Sequence, residues 1–290
     1  MMPAIRDPAS SLSAPHRREL AAAVRKLERP TLAARIADYA GKPVNELIKL
    51  MPRPINRRFQ ALVRAAIFQC LEVAIESLDP NDRSAASPWT NKVMVGLTGG
   101  VGGFFGIAAL PFELPLTTTL MLRSIAEIAR EHGEDLSRLE TRLSCVEVFA
   151  LGGRVPSEQA RLDYYAVRTV LSSLVRDVVT QVAEVGAVSA SSPLLARFAG
   201  EIVGRFGVVL SDQLAVGAAP VIGAVGGAAV NVVFTDHFQR VAEGHFAIRR
   251  LERLYGAGEV ERAYHAAAHD LSGLRRRFGQ TARRPSETAA

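Results

Sequence analysis

Two stretches of the chain carry no charged side chain over the length of a membrane-crossing helix, and both are rich in glycine. Residues 93–112 read VMVGLTGGVGGFFGIAALPF and residues 213–235 read QLAVGAAPVIGAVGGAAVNVVFT. Each glycine weakens an isolated helix by about 1 kcal/mol relative to Ala. Such runs are stable as helices only where other helices or lipid enclose them. Glycines recur four apart, at Gly96/Gly100, Gly99/Gly103, Gly102/Gly106 and Gly223/Gly227. That spacing gives a smooth helix face that a second backbone can approach closely. Pro220 predicts a kink or a helix start within the second run.

Around these runs the chain is amphipathic with a helical period. Between residues 57 and 78 the apolar positions are Phe59, Leu62, Val63, Ala66, Ile67, Cys70, Leu71, Ala74, Ile75 and Leu78, a three-and-four spacing with Arg58, Arg64, Glu72 and Glu76 outside it. Leu20, Val24 and Leu27 mark an earlier helix. After Pro115, the sequence TTTLMLRSIAEIAREHG predicts a helix stopped by Gly133. Ser137, Arg138, Leu139 and Glu140 match a capping box, predicting a helix that Gly152-Gly153 ends. Pro156-Ser157 opens a further helix to about Val185, and the last helix follows Gly256 and Gly258. No segment reads as a strand. The expected fold is all-α, a single helical bundle with the two glycine-rich segments at its centre and amphipathic helices around them. Residues 1–18 read as a loose leader, 19–278 as the helical domain and 279–290 as a tail.

Charge narrows the partners. The chain has 35 Lys and Arg against 29 Asp and Glu, a net of +6, and much of the excess lies before Lys92 and after Arg240. A basic protein attracts nucleic acid or an anionic membrane surface. No zinc-finger spacing, RNP-type stretch or helix-turn-helix is present, so nucleic acid is not the expected partner. The start has no apolar core of a secretory signal. Cys70 and Cys145 lie far apart and form no metal or redox spacing, which fits a reducing compartment.

The sequence carries no recognisable catalytic motif. GLTGGVGG lacks the Lys-Ser/Thr of a phosphate loop, Gly100-x-Gly102-x-x-Phe105 lacks the third glycine of a dinucleotide fingerprint, and neither GxSxG nor HExxH occurs. No cofactor is expected. His265 and His269 stand four apart on a predicted helix, and a metal-binding alternative uses His237, His245, His265 or His269 with nearby carboxylates. The more informative polar residues flank the apolar runs. Glu113, Arg123, Asp236, His237 and Arg249 are candidates for one polar site between the two glycine-rich segments, because charge beside apolar helices must be paired or wet. The plainer reading makes Asp236 a helix cap and Glu113 an exposed turn residue.

Three stretches resemble the EcsC family: GGVGGFFGIAALPFELPLTTTLMLRSIAEIAREHGEDL (residues 99–136), CVEVFALGG (145–153) and GAAPVIGAVGGAAVNVVFTDHFQRVAEGHFAIRRLERLYG (217–256). The resemblance implies a bacterial protein working near the membrane, accessory to an ABC transporter or a secretion process, and it carries over no catalytic residue. The leading expectation is a non-enzymatic, cytoplasmic, peripherally membrane-associated protein that binds lipid or a membrane partner through basic amphipathic helices. Two alternatives stay open. One is an integral hairpin through residues 93–112 and 213–235 with both termini cytoplasmic. The other is a membrane-proximal hydrolase acting on peptide or lipid with Glu113, Asp236 and His237 as acid/base groups.

Overall fold

The computed structural model describes residues 12–28, 53–76, 110–153, 164–186, 192–217 and 223–281. Among these residues are eight helices and no strand, so the fold is all-α, as the periodicity predicts. The helices are α1 (Ala14–Leu27), α2 (Arg53–Glu76), α3 (Leu110–Glu131), α4 (Leu139–Leu151), α5 (Tyr164–Val185), α6 (Pro193–Gly217), α7 (Gly223–Tyr255) and α8 (Ala257–Thr281). The chain gathers into two compact units. The terminal unit is Met1–Arg29 with Glu243–Ala290, and the central unit is Pro30–Ala242. The stretch 19–278, read above as one domain, contributes to both.

In the central unit, α4 is the hub. It packs against α2, α3, α5 and α6, while α2 also meets α3 and α6, and α5 meets α6. With neighbours on every side, α4 buries Leu139, every residue from Thr141 to Ala150, and leaves only Glu140 and Leu151 partly exposed. Helix α2 instead buries one stripe, Val63, Ala66, Ile67, Cys70 and Leu71, which lies within the predicted periodicity. The α3 terminus is built as the sequence predicts. Gly133 adopts φ 77°, and the Glu134 amide donates to the Ala129 carbonyl at 3.0 Å, which closes a left-handed C-terminal cap.

One local expectation needs correction. The capping box does not form. Arg138 occupies the N-cap of α4 without a side-chain cap bond, because the Ser137 amide and hydroxyl both donate to Asp135 Oδ1, at 2.9 and 2.7 Å. The aspartate two residues upstream draws Ser137 into an Asx turn, so Arg138 rather than the serine takes the N-cap position. Of the uncharged run 213–235, residues 213–217 lie in α6 and residues 223–235 in α7; Pro220, where a kink or helix start is expected, lies outside the described residues. Within the stretch read as a leader, residues 12–18 are described. Leu12 is buried, and Ser13 caps α1 by accepting from the His16 amide with Pro15 in the first turn.

In the terminal unit, α1 packs on α8. Leu20, Ala23 and Val24 of α1, Phe246, Ile248 and Leu251 of α7, and Val260, Ala263 and Tyr264 of α8 form its core. Gly244 admits α1 closely: a Cβ there would stand 2.9 Å from Leu27 Cγ and 3.2 Å from the Ala23 carbonyl oxygen.

Candidate functional site

Most of the glycine pairs read from the sequence fall outside the described residues: Gly96, Gly99, Gly100, Gly102, Gly103 and Gly106 lie there. Gly223 and Gly227 lie in the first two turns of α7. Besides Gly244, the glycines that allow a close approach are Gly152 and Gly153, which end α4. A Cβ on Gly153 would stand 2.6 Å from the Arg205 backbone carbon of α6, and one on Gly152 would stand 2.5 Å from the Phe238 ring of α7. Beside them Phe149, Phe206 and Phe238, one from each helix, pack with ring centroids 4.8 to 5.8 Å apart. Tilted and edge-on pairs of this kind contribute about 0.5–1.5 kcal/mol each beyond the area they bury.

His237 belongs to this crossing. Its Nε2 lies 2.9 Å from the Gly152 carbonyl oxygen. A carbonyl can only accept, so Nε2 carries the proton and the ring pins the end of α4. Asp236 lies in an ion pair with Arg240 at 2.9 Å, one turn along α7. Arg123 pairs with Glu127 at 3.1 Å, one turn along α3. Helices α3 and α7 meet one residue from Arg123, where Gln239 Nε2 donates to Ser124 Oγ at 2.8 Å. The backbone of Glu113 lies in the first turn of α3. Arg249 lies on the part of α7 that belongs to the terminal unit.

The sequence reading missed the buried charges of α4. Arg142 is 1% exposed and Glu147 is 1% exposed. One Arg142 terminal nitrogen donates to the Ser137 carbonyl at 3.3 Å, and its Nε has no hydrogen-bond partner among the described residues. Burial therefore depresses the Arg142 guanidinium below its ordinary pKa, against the attraction of Asp135. Asp135 itself titrates below the usual carboxylate range, chiefly through its bonds from Ser137 and secondarily through Arg138 and Arg142. The signal for these residues was available: LETRLSCVEVFAL has no one-sided apolar stripe, which is the mark of a helix buried all round. Cys70 is likewise enclosed, and burial pushes its thiol up to about 12, so it is no nucleophile at neutral pH.

No three His, Cys, Asp or Glu side chains among the described residues are grouped to hold a metal ion. Of the histidines considered as ligands, His245 is buried, whereas His265 and His269 are exposed on α8, with His265 3.9 Å from Glu261. No helix among the described residues is long and apolar enough to cross a membrane.

The two units differ in charge. The 35 Lys and Arg and 29 Asp and Glu of the chain divide into 15 and 9 in the terminal unit and 20 and 20 in the central unit. The whole net charge of +6 thus belongs to the terminal unit. Four of its acids are paired: Glu19 takes both the Nε (3.1 Å) and a terminal nitrogen of Arg250, Glu243 holds Lys26 at 2.6 Å, Glu259 holds Arg262, and Glu28 accepts from the Tyr264 hydroxyl at 2.8 Å. Arg18 and Arg25, seven residues apart on one face of α1, are exposed.

An all-helical chain with a buried hub helix ended by Gly-Gly, and with a basic pairing of its two ends, matches one family over residues 15–251. The chain belongs to the EcsC protein family. No curated protein and no solved structure is significantly similar to it.

Proposed function

We propose that the chain is a non-enzymatic module that docks peripherally on an anionic membrane surface through its terminal unit, in the service of a membrane protein such as an ABC transporter. The observation that carries this reading is the charge division, with +6 in one unit and zero in the other. Each Lys or Arg near an anionic leaflet is worth about 1 kcal/mol, so a handful of exposed cations gives appreciable affinity without any inserted helix. Membership of the EcsC family agrees with work at the membrane. The candidate acid/base groups support the enzymatic alternative less well, since Asp236 lies beside Arg240 and His237 Nε2 is committed to a backbone carbonyl.

The test is co-sedimentation of the full chain with vesicles of phosphatidylglycerol and phosphatidylcholine, compared with phosphatidylcholine alone. Binding to the first only, lost on raising salt from about 50 mM to several hundred mM, is the expected result. Equal binding to both vesicles, or to neither, would remove the proposal.

A further inference from the structure

The terminal unit has one exposed large apolar side chain among the described residues, Leu254, at 56% exposure. Its position has a physical origin. On α7 it follows Ala247 by seven residues and Leu251 by three, so it extends the stripe that packs the unit's core. Ala247 and Leu251 are buried, and the stripe runs out at Leu254, one residue before the helix ends. Gly256 then turns the chain into α8 with φ 89°. The turn is small: Gly256, Ala257 and Gly258 are all exposed and add no bulk around the leucine.

The same corner is fixed to the start of α1. The Tyr255 hydroxyl lies 2.7 Å from His16 Nδ1 and 3.3 Å from the Ser13 amide, which donates to it. The His16 and Tyr255 rings meet edge-on with centroids 5.4 Å apart. This contact brings two sets of exposed cations to one end of the unit: Arg253 on α7, and Arg17 and Arg18 in the opening turns of α1. An apolar side chain at a tight corner, beside arginines and in the unit that holds the chain's whole net charge, is complementary to an interface with an apolar interior and anionic headgroups.

We propose that the α7–α8 corner is the point at which the terminal unit enters the bilayer, with Leu254 inserted below the headgroups and Arg17, Arg18 and Arg253 on lipid phosphates. The inference rests on the membrane reading above and specifies the contact. A nucleic acid would satisfy the arginines equally, but it offers no hydrocarbon phase to an aliphatic side chain, so the bilayer is the better-matched partner.

The experiment uses site-directed labelling of the full chain. Cys70 and Cys145 are buried, so a Leu254→Cys chain takes a maleimide-linked environment-sensitive fluorophore at the new position. Val185→Cys is the control, since Val185 is the same kind of exposed aliphatic residue, at 71%, in the neutral central unit. With phosphatidylglycerol-containing vesicles, the label at position 254 is expected to shift to the blue and to lose access to an aqueous quencher, while the label at position 185 changes neither. Unlabelled Leu254→Ser is expected to bind the same vesicles about three- to tenfold more weakly, with an unchanged circular dichroism melt. If the chain sediments with vesicles while the position-254 label stays aqueous, or both labels respond alike, the corner is not the contact and the membrane reading survives. If neither labelled nor unlabelled chain sediments, both fall. If single-stranded RNA binds with the same salt dependence and shifts the position-254 label as vesicles do, the bilayer is not the partner.

Discussion

The central and terminal units of this protein solve opposite problems. In the central unit, 20 positive and 20 negative side chains cancel, and the distinctive feature is a helix sunk among four others with Arg142 and Glu147 inside it. In the terminal unit, 15 positive side chains stand against 9 negative ones, and Glu19, Glu243 and Glu28 tie α1 to α7 and α8. Net charge does not specify a fold; it governs what a surface attracts. On the membrane reading proposed above, that difference makes the terminal unit the one that meets the partner.

Substitutions at matched glycines sharpen that comparison, starting where the effect is largest. Gly153→Ala puts a methyl group against the Arg205 backbone, which cannot swing aside as a side chain could. It should destabilise the protein by about 2–3 kcal/mol in a thermal or urea melt. Gly244→Ala in the terminal unit meets Leu27 Cγ, the branch of a flexible side chain, together with the Ala23 carbonyl. The expected loss is smaller, about 1–2 kcal/mol. Equal losses at the two sites would erase the distinction in packing drawn here. Gly204→Ala reverses the sign: it lies inside α6 with nothing within 4 Å of an added Cβ, so it should stabilise by about 0.5–1 kcal/mol.

The smallest effect is a pH dependence at the entrance to the hub helix. The carboxyl of Asp135 is held below its ordinary range, so its bonds to Ser137 stabilise the fold above the unfolded pKa of about 3.9 and are lost as pH falls through the lower folded value. Asp135→Asn should therefore be slightly less stable than the parent chain at pH 7. The gap should begin to narrow below about pH 4 and close once pH has fallen through the lower folded value, as measured by melts across the pH range. A gap that persists there would mean that the carboxylate is not what orders this turn.

The local periodicities were legible in the sequence. The stripe of α2, the Gly133 stop and the Gly152-Gly153 stop can all be read from spacing, because each depends on residues within a turn or two. The failures are of two kinds. Where two short-range options compete, as for Ser137 between an Asx turn with Asp135 and the N-cap position, the sequence pattern does not reveal which wins. Where the answer depends on partners far along the chain, spacing is silent: nothing local announces that Glu19 binds Arg250 or that Glu28 accepts from Tyr264. For that reason the excess charge could be seen at both ends of the chain without being recognised as one basic body. The candidate polar set was legible only as individual residues. Arg123 and Asp236 find partners on their own helices, and the function of His237 at the end of α4 depends on Gly152, 85 positions away.

The central claim is that the location of charge, rather than its total, brings this protein to a membrane. Two double variants lower the net charge equally. Arg18→Gln with Arg25→Gln removes exposed cations from the terminal unit, and Arg130→Gln with Arg176→Gln removes exposed cations from the central unit. Vesicle partition is then measured for both against the parent chain at low salt. At about 1 kcal/mol per cation, the terminal-unit variant should bind about 30-fold more weakly while the central-unit variant binds as the parent does. Equal weakening of the two, or greater weakening of the central-unit variant, would contradict the claim.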